Sequence, residues 1–236
     1  MVLVRHGEAA CNVNGVVGGR RGCTGLTGTG VRQVEALRDR LARTGELGPV
    51  DALYSSVLAR AVATAEILAP VLERPDGGSL RVVTDCGLCE LHPGEADAVT
   101  WAEFSARFGE PDWDRDPTTP LAPGGESWSG FVDRAASCVA RLATRHRGGR
   151  VVLACHAGVI EATVLAFFAV DRTRRSRGLL RTEHASLTEW ELAEGGWRLC
   201  RYNDVTPWQG PGEPGTSPGG APRTASVRGA AAAAGS

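Results

Sequence analysis

The feature that most constrains this chain is the unbroken apolar run Val151-Val152-Leu153-Ala154-Cys155, followed at once by His156-Ala157-Gly158 and a helical pattern. A short run with no polar alternation is a strand covered on both faces, as in a parallel sheet between helical layers. The start of the chain repeats the device: Val2-Leu3-Val4 runs into Arg5-His6-Gly7. Between them, Thr27 reads as a helix N-cap ahead of Val31, Val34, Leu37 and Leu41 at helical spacing. A second strand is expected over 51–54, and Ser55 or Ser56 as the cap of a helix carrying Leu58, Ala61, Ala65, Leu68 and Leu72. A third strand fits 81–84, helices fit 101–108, 127–145 and 158–168, and 186–192 with 197–202 reads as a hairpin turning at Gly195-Gly196.

Alternating strands and helices predict an α/β fold, a three-layer α/β/α sandwich around a mostly parallel sheet. In such sheets ligands bind beyond the carboxyl ends of strands. His6, His156 and the start of the helix bearing Arg60 all fall just past expected strands, so three distant segments can converge on one pocket. Residues 8–26 read as a long Gly-rich loop. Residues 85–126, apart from the short helix, are too long for a simple connection and read as a functional excursion. A domain over 1–206 is expected, with 207–236, rich in Pro, Gly, Ser and Ala, as a disordered tail.

Composition excludes several chemistries. All 26 basic residues are Arg and the formal charge is -1, so no lysine Schiff base is available and no global basic field points to nucleic acid. No apolar run is long enough for a membrane span. The seven cysteines are odd in number and irregularly spaced, with no secretory signal ahead of them, which predicts free thiols and a cytoplasmic location. Cys86-x-x-Cys89 is a lone pair: a zinc site would want a second pair or histidines at ligand spacing, so no metal is expected there.

A histidine after a buried strand is, alone, more often structural than catalytic. His6 is flanked by Arg5 and by Gly7, which permits close backbone approach. Arg60 lies in the first turns of a small, apolar helix, where a guanidinium costs desolvation unless it meets an anion or a structural carboxylate. His156 precedes a helix N-terminus, which favours anions.

These pieces together resemble the histidine phosphatase superfamily, also called the phosphoglycerate-mutase-like family. Arg5-His6-Gly7-Glu8 with Asn12 is similar to its opening motif, and Leu26-Thr27-x-x-Gly30-x-x-Gln33 to the entry of its first helix. Ser56-x-Leu58-x-Arg60-Ala61-x-x-Thr64-Ala65 and His156-x-Gly158-x-Ile160 are similar to its second and third motifs, and Leu88-x-Glu90-x-x-x-Gly94 to the segment supplying its acid. The chain departs at Ala9, where the family often has Thr, and at Ala96-Asp97-Ala98, where it often has Trp-Glu-Gly; the loop from Gly18 to Gly25 matches no family pattern.

The resemblance implies that His6 is a nucleophile forming a phosphohistidine, and that Arg5, Arg60 and His156 hold the phosphate with Asn12 as a neutral donor. It implies Glu90 as general acid, with His92 and Asp85 as rivals. It implies a phosphomonoesterase acting on a small phosphorylated metabolite without cofactor or metal, as a monomer or homodimer. A mutase of the same family is the alternative, disfavoured by His156-Ala157-Gly158 where mutases tend to carry His-Gly-Asn; a non-catalytic phosphate-binding module is a further one. The run Arg172, Arg174, Arg175, Arg177 and Arg181 reads either as a contact for an acidic substrate tail or a second phosphate, or, more commonly for such runs, as a solvated loop.

Overall fold

A computed structural model describes residues 1–171 and 180–205. The expected tail and four arginines of the basic run (Arg172, Arg174, Arg175 and Arg177) lie outside them; Arg181 is described and pairs with Glu183.

The described residues form one sheet of six strands: β1 (Val2–Arg5), β2 (Ala52–Ser55), β3 (Val82–Thr84), β4 (Val151–Cys155), β5 (Leu187–Ala193) and β6 (Gly196–Asp204), in the order β3-β2-β4-β1-β5-β6. The first four are mutually parallel; β5 runs antiparallel to β1 and closes a hairpin with β6. Helices α2 (Gly28–Thr44) and α3 (Ala59–Leu68) pair on one side, α5 (Trp128–Arg145) and α6 (Ala157–Phe167) on the other. Successive strand residues point to opposite faces, so Val2 and Val4 join Val34, Leu37, Leu53 and Leu68 in one core layer. Leu3 and Leu153 join Phe131, Leu142 and Ile160 in the other. The three-layer sandwich expected from the apolar runs is what forms. Among the described residues no helix is long and apolar enough to cross a membrane.

Two motifs acquire physical reasons here. Thr27 caps α2 by accepting from the Gly30 N–H at 2.9 Å, and its own hydroxyl donates to Glu8 at 2.7 Å. A Cβ at Gly30 would overlap the backbone of Glu8, so the first turn of α2 lies directly on the chain leaving β1. Gln33 then accepts from the Glu8 N–H at 2.8 Å. The Leu26–Gln33 segment thus fixes the path of the chain just past His6.

Two expectations are corrected. The 8–26 stretch contains a short helix, α1 (Ala10–Val13). Neither Ser55 nor Ser56 is the N-cap of α3; Leu58 is, without a side-chain cap, because the Ser56 hydroxyl accepts from the Leu58 N–H at 3.2 Å and is also held by His156. The 85–126 excursion carries the fourth helix, α4 (Trp101–Phe108), and folds over the carboxyl ends of the strands.

Candidate active site

The register pairs Arg5 with Cys155, which brings the ends of β1 and β4 level. His6 and His156 follow directly, and their rings meet edge-on with centroids 5.1 Å apart. Arg60, the second residue of α3, sends its Nε–H to His6 Nε2 at 3.1 Å and its Nη1 to the Gly18 carbonyl at 2.7 Å. All three side chains are buried (His6 4%, Arg60 4%, His156 0% exposed), yet His6 and Arg60 line a cleft of about 520 Å³ at this end of the sheet. A larger concavity of about 980 Å³, lined by Met1, Arg150 and Trp190 among others, lies elsewhere and holds none of these groups.

His6 Nδ1 lies 2.6 Å from its neighbour's carbonyl, Gly7 O, so the proton sits on Nδ1 and Nε2 is the acceptor nitrogen, met in this structure by the Arg60 Nε–H. Burial, reinforced by Arg60 and Arg5, drives the His6 pKa well below the usual imidazole value and keeps the ring neutral. His156 is held neutral in the same way, by burial first and then by Arg60, His6 and Arg5. Its Nε2 lies 2.9 Å from Ser56 Oγ. Arg5 donates from Nη1 to the Thr182 carbonyl and from Nη2 to His184 Nε2 at 2.9 Å, while its buried Nε has no partner among the described residues.

Glu90 enters from the 85–126 excursion. Its Oε2 accepts from the Gly158 N–H at 3.1 Å, in the first turn of α6, and its Oε1 accepts from the Leu91 N–H at 3.2 Å. The carboxylate therefore lines the cleft with His6, Arg5 and Arg60. Its two rivals are placed elsewhere. Asp85 accepts from Arg141 at 2.6 Å and from the Gly87 N–H at 2.8 Å; burial would raise its pKa, but these bonds outweigh it and hold it below the usual carboxylate range. His92 faces Glu126 at 3.3 Å and Cys86 Sγ at 3.4 Å, outside the cleft. Asn12 stands at the cleft, its amide oxygen accepting from the Ala9 N–H at 3.2 Å.

The outer wall is aromatic and acidic: Trp101, Phe104, Trp113 and Trp128, with Glu110 and Glu161. The unaligned Gly18–Gly25 loop is held by Asp97, one of the departures noted above, which accepts from the N–H groups of Arg21 at 2.8 Å and Gly22 at 3.0 Å.

One residue at this site escaped the sequence. His184 lies 5.6 Å from His6, ring to ring, and burial, then Arg5 and Arg60, pulls its pKa to about 4. Its only sequence signal is a position just before β5, useful once β5 is known to run antiparallel beside β1.

This constellation of a neutral, strand-terminal histidine, two guanidiniums and a helix N-terminus defines a class of phosphoryl-handling α/β proteins. A family model of the histidine phosphatase superfamily (branch 1) matches residues 1–205, and the chain belongs to that family. It is 29% identical over 211 residues to a metal-independent phosphoserine phosphatase from Arabidopsis thaliana, spanning 87% of this chain and 82% of the relative. It is 31% identical over 170 residues to a 2,3-bisphosphoglycerate-dependent phosphoglycerate mutase from Methylobacterium, spanning 70% and 78%. Among solved structures, a mycobacterial glucosyl-3-phosphoglycerate phosphatase in complex with VO3 superposes with a TM-score of 0.69 at 27% identity, over 86% of this chain and 98% of that one. Family and relatives support a phosphatase or mutase enzyme.

Proposed function

We propose that the chain is a phosphomonoesterase for a small phosphorylated metabolite, working through a phosphohistidine on His6. The observation that carries this is the state of His6: neutral, proton held on Nδ1 by the Gly7 carbonyl, and Nε2 beside Arg60 at the cleft. In the first step Nε2 attacks phosphorus, the bond to the ester oxygen breaks, and Glu90 gives its proton to the departing alkoxide. In the second, Glu90 takes a proton from water, the new P–O bond forms, the P–N bond breaks, and phosphate leaves with Glu90 protonated again. Charge on the peripheral oxygens falls to Arg5, Arg60, the His156 and Asn12 side chains and the α6 N-terminus, so positioning and electrostatics do the work. The arginines supply the positive charge that a metal supplies in other phosphoryl-transfer sites, and no step draws on one.

Rapid quench of the enzyme with labelled substrate tests this. An acid-labile, base-stable phosphoprotein is expected in the wild type and none in His6→Ala; label retained in that variant removes His6 from the role.

The mutase relative keeps a second reading alive, in which the phosphoryl group returns to another hydroxyl of the same sugar acid. Such substrates carry extra anionic groups. Among the described cleft residues the cations are Arg5 and Arg60, while Glu90, Glu110 and Glu161 are acidic, which favours hydrolysis of a less anionic ester. Inorganic phosphate should accumulate in stoichiometric yield; phosphate shuttled within 3-phosphoglycerate, dependent on a bisphosphate primer, would make the chain a mutase.

A further inference from the structure

The excursion that delivers Glu90 brings together three side chains that this reaction does not use. Cys86 and Cys89 lie at the two ends of a single 3-10 turn, with their sulfurs 3.1 Å apart. His92 folds back over them and sets Nε2 3.4 Å from Cys86 Sγ. One donor atom from each residue lies within 4.8 Å of the others. The second cysteine pair missing from the sequence is thus replaced by a histidine in a C-x-x-C-x-x-H stretch.

The surroundings are those of a prepared ligand set. The other ring nitrogen of His92, Nδ1, faces Glu126 Oε2 at 3.3 Å, the carboxylate–histidine relation that orients metal-binding imidazoles. Glu126 is fixed by Arg134, which grips both its oxygens at 2.7 Å. The same guanidinium donates to the carbonyls of Cys86, Gly87, Cys89 and Glu90 at 3.0–3.3 Å, so the turn is held before any ion arrives. Each sulfur also has a neighbouring donor: Ser56 Oγ at 3.5 Å from Cys89, and Arg20 at 3.7 Å from Cys86.

We propose that Cys86, Cys89 and His92 bind a zinc-class divalent ion, with an open fourth position on the solvent side. Two sulfurs and one imidazole are the donor set that selects such an ion over magnesium or calcium. Tetrahedral bonding at ordinary zinc distances wants sulfurs about 3.8 Å apart and sulfur to nitrogen about 3.5 Å, so the two sulfurs must open by about 0.7 Å, Cys86 and His92 hardly move, and Cys89 and His92, within 4.8 Å, must close by at most about 1.3 Å. Cys86 and His92 are half-buried, which leaves an entry path, while Cys89 is buried. Coordination needs both sulfurs as thiolates and a free lone pair on His92 Nε2, so the protons those three atoms carry leave to solvent. The ion closes a ring of chain from Cys86 to His92 with Glu90 inside it. Glu90 itself points away, to Gly158, so the ion steadies the loop that carries the acid and stays out of the phosphoryl step.

Cobalt(II) titration of the full, reduced chain under oxygen-free conditions tests this. One equivalent should give thiolate-to-cobalt absorption with the strong visible bands of a four-coordinate site, bleached by one equivalent of zinc. Cys86→Ser and His92→Ala should each weaken binding at least about tenfold, while Cys200→Ser and His6→Ala leave it unchanged. Zinc should raise the melting temperature of the wild type but not of Cys86→Ser, and equal melting of both without metal shows that the variant folds. Absence of the thiolate band at one equivalent overturns the site, as does a band that survives both ligand variants or is lost in His6→Ala. A Cys86–Cys89 disulfide that persists under reduction would overturn it too.

Discussion

Gly158→Ala tests the placement of Glu90 without removing the acid. A Cβ at position 158 would overlap Glu90 Oε1 outright and stand 3.0 Å from both Glu90 Cδ and Phe131 Cζ. Phe131 is fully buried and does not yield, so the Glu90 carboxyl must retreat by about 1 Å to reach ordinary contact. A misplacement of that size costs on the order of 10²-fold, about 2.7 kcal/mol in the transition state. The cost falls only where the leaving oxygen needs a proton. Single-turnover phosphohistidine formation should therefore drop about 10²-fold with an alkyl phosphate and change little with p-nitrophenyl phosphate, whose leaving oxygen is already stable. Glu90→Gln should show the same split, with a loss of roughly 10²–10⁴ on the alkyl ester, and adding Gly158→Ala to it should cost little more. The helical backbone at Gly158 favours Ala by about 1 kcal/mol, but the contact with Phe131 opposes that, so the melting temperature of the variant is read beside its rates. Equal losses on both esters, or none on either, would refute the assignment of Glu90 as the proton donor.

Arg60→Lys should lower kcat/KM by about 2–4 kcal/mol, because an ammonium cannot bond Gly18, flank His6 and meet a phosphate oxygen at once; steady-state assay with p-nitrophenyl phosphate reads it. His6, His156 and His184 are buried neutral with pKa values below those of the unfolded chain, so their stability contribution is present above about pH 6.5 and is lost as pH falls toward their folded values, for His184 about 4. Urea midpoints should fall steeply from pH 6.5 to 5, by up to about 1.4 kcal/mol per pH unit for each histidine, and His184→Gln should remove one histidine's share; a flat profile contradicts the burial argument. Exhaustive chelation should leave the initial rate within about twofold, since no several-kcal/mol Lewis acid is lost, even where it lowers the melting temperature. Removing residues 208–236 should leave melting temperature and turnover unchanged, because that composition offers no core.

The parts of the site carried by strand ends were legible because the cause is local. Val2-Leu3-Val4 and Val151–Cys155 can only be buried strands, and the residue after each must emerge at the sheet's edge. His184 was illegible because what places it is the antiparallel course of β5 beside β1, and no local pattern encodes strand direction. Ser56 carried a true helix-start signal, but its hydroxyl is spent on the Leu58 N–H and on His156, which lies far away in sequence. The spacing of Cys86, Cys89 and His92 does not by itself make a ligand set, because what turns His92 back onto the sulfurs is an irregular loop shaped by Arg134 on α5.

Arg134 also shows why a partly buried arginine alone does not identify a binding site. It interrupts an apolar helix face much as Arg60 does, and both must be compensated. The difference lies in the partners. Arg134 is neutralised by the Glu126 carboxylate and saturated by four carbonyls, so its charge has nothing left to attract. Among the described residues no carboxylate is ion-paired with Arg60 or Arg5; they are met by carbonyls of Gly18 and Thr182 and by the neutral rings of His6 and His184. Neutral partners satisfy hydrogen bonds without cancelling charge. Two guanidiniums with no ion-paired carboxylate among the described residues therefore meet at His6, beside the amino terminus of α6; their field adds to burial in keeping His6 neutral, and in the proposed reaction it is what would attract a phosphate dianion.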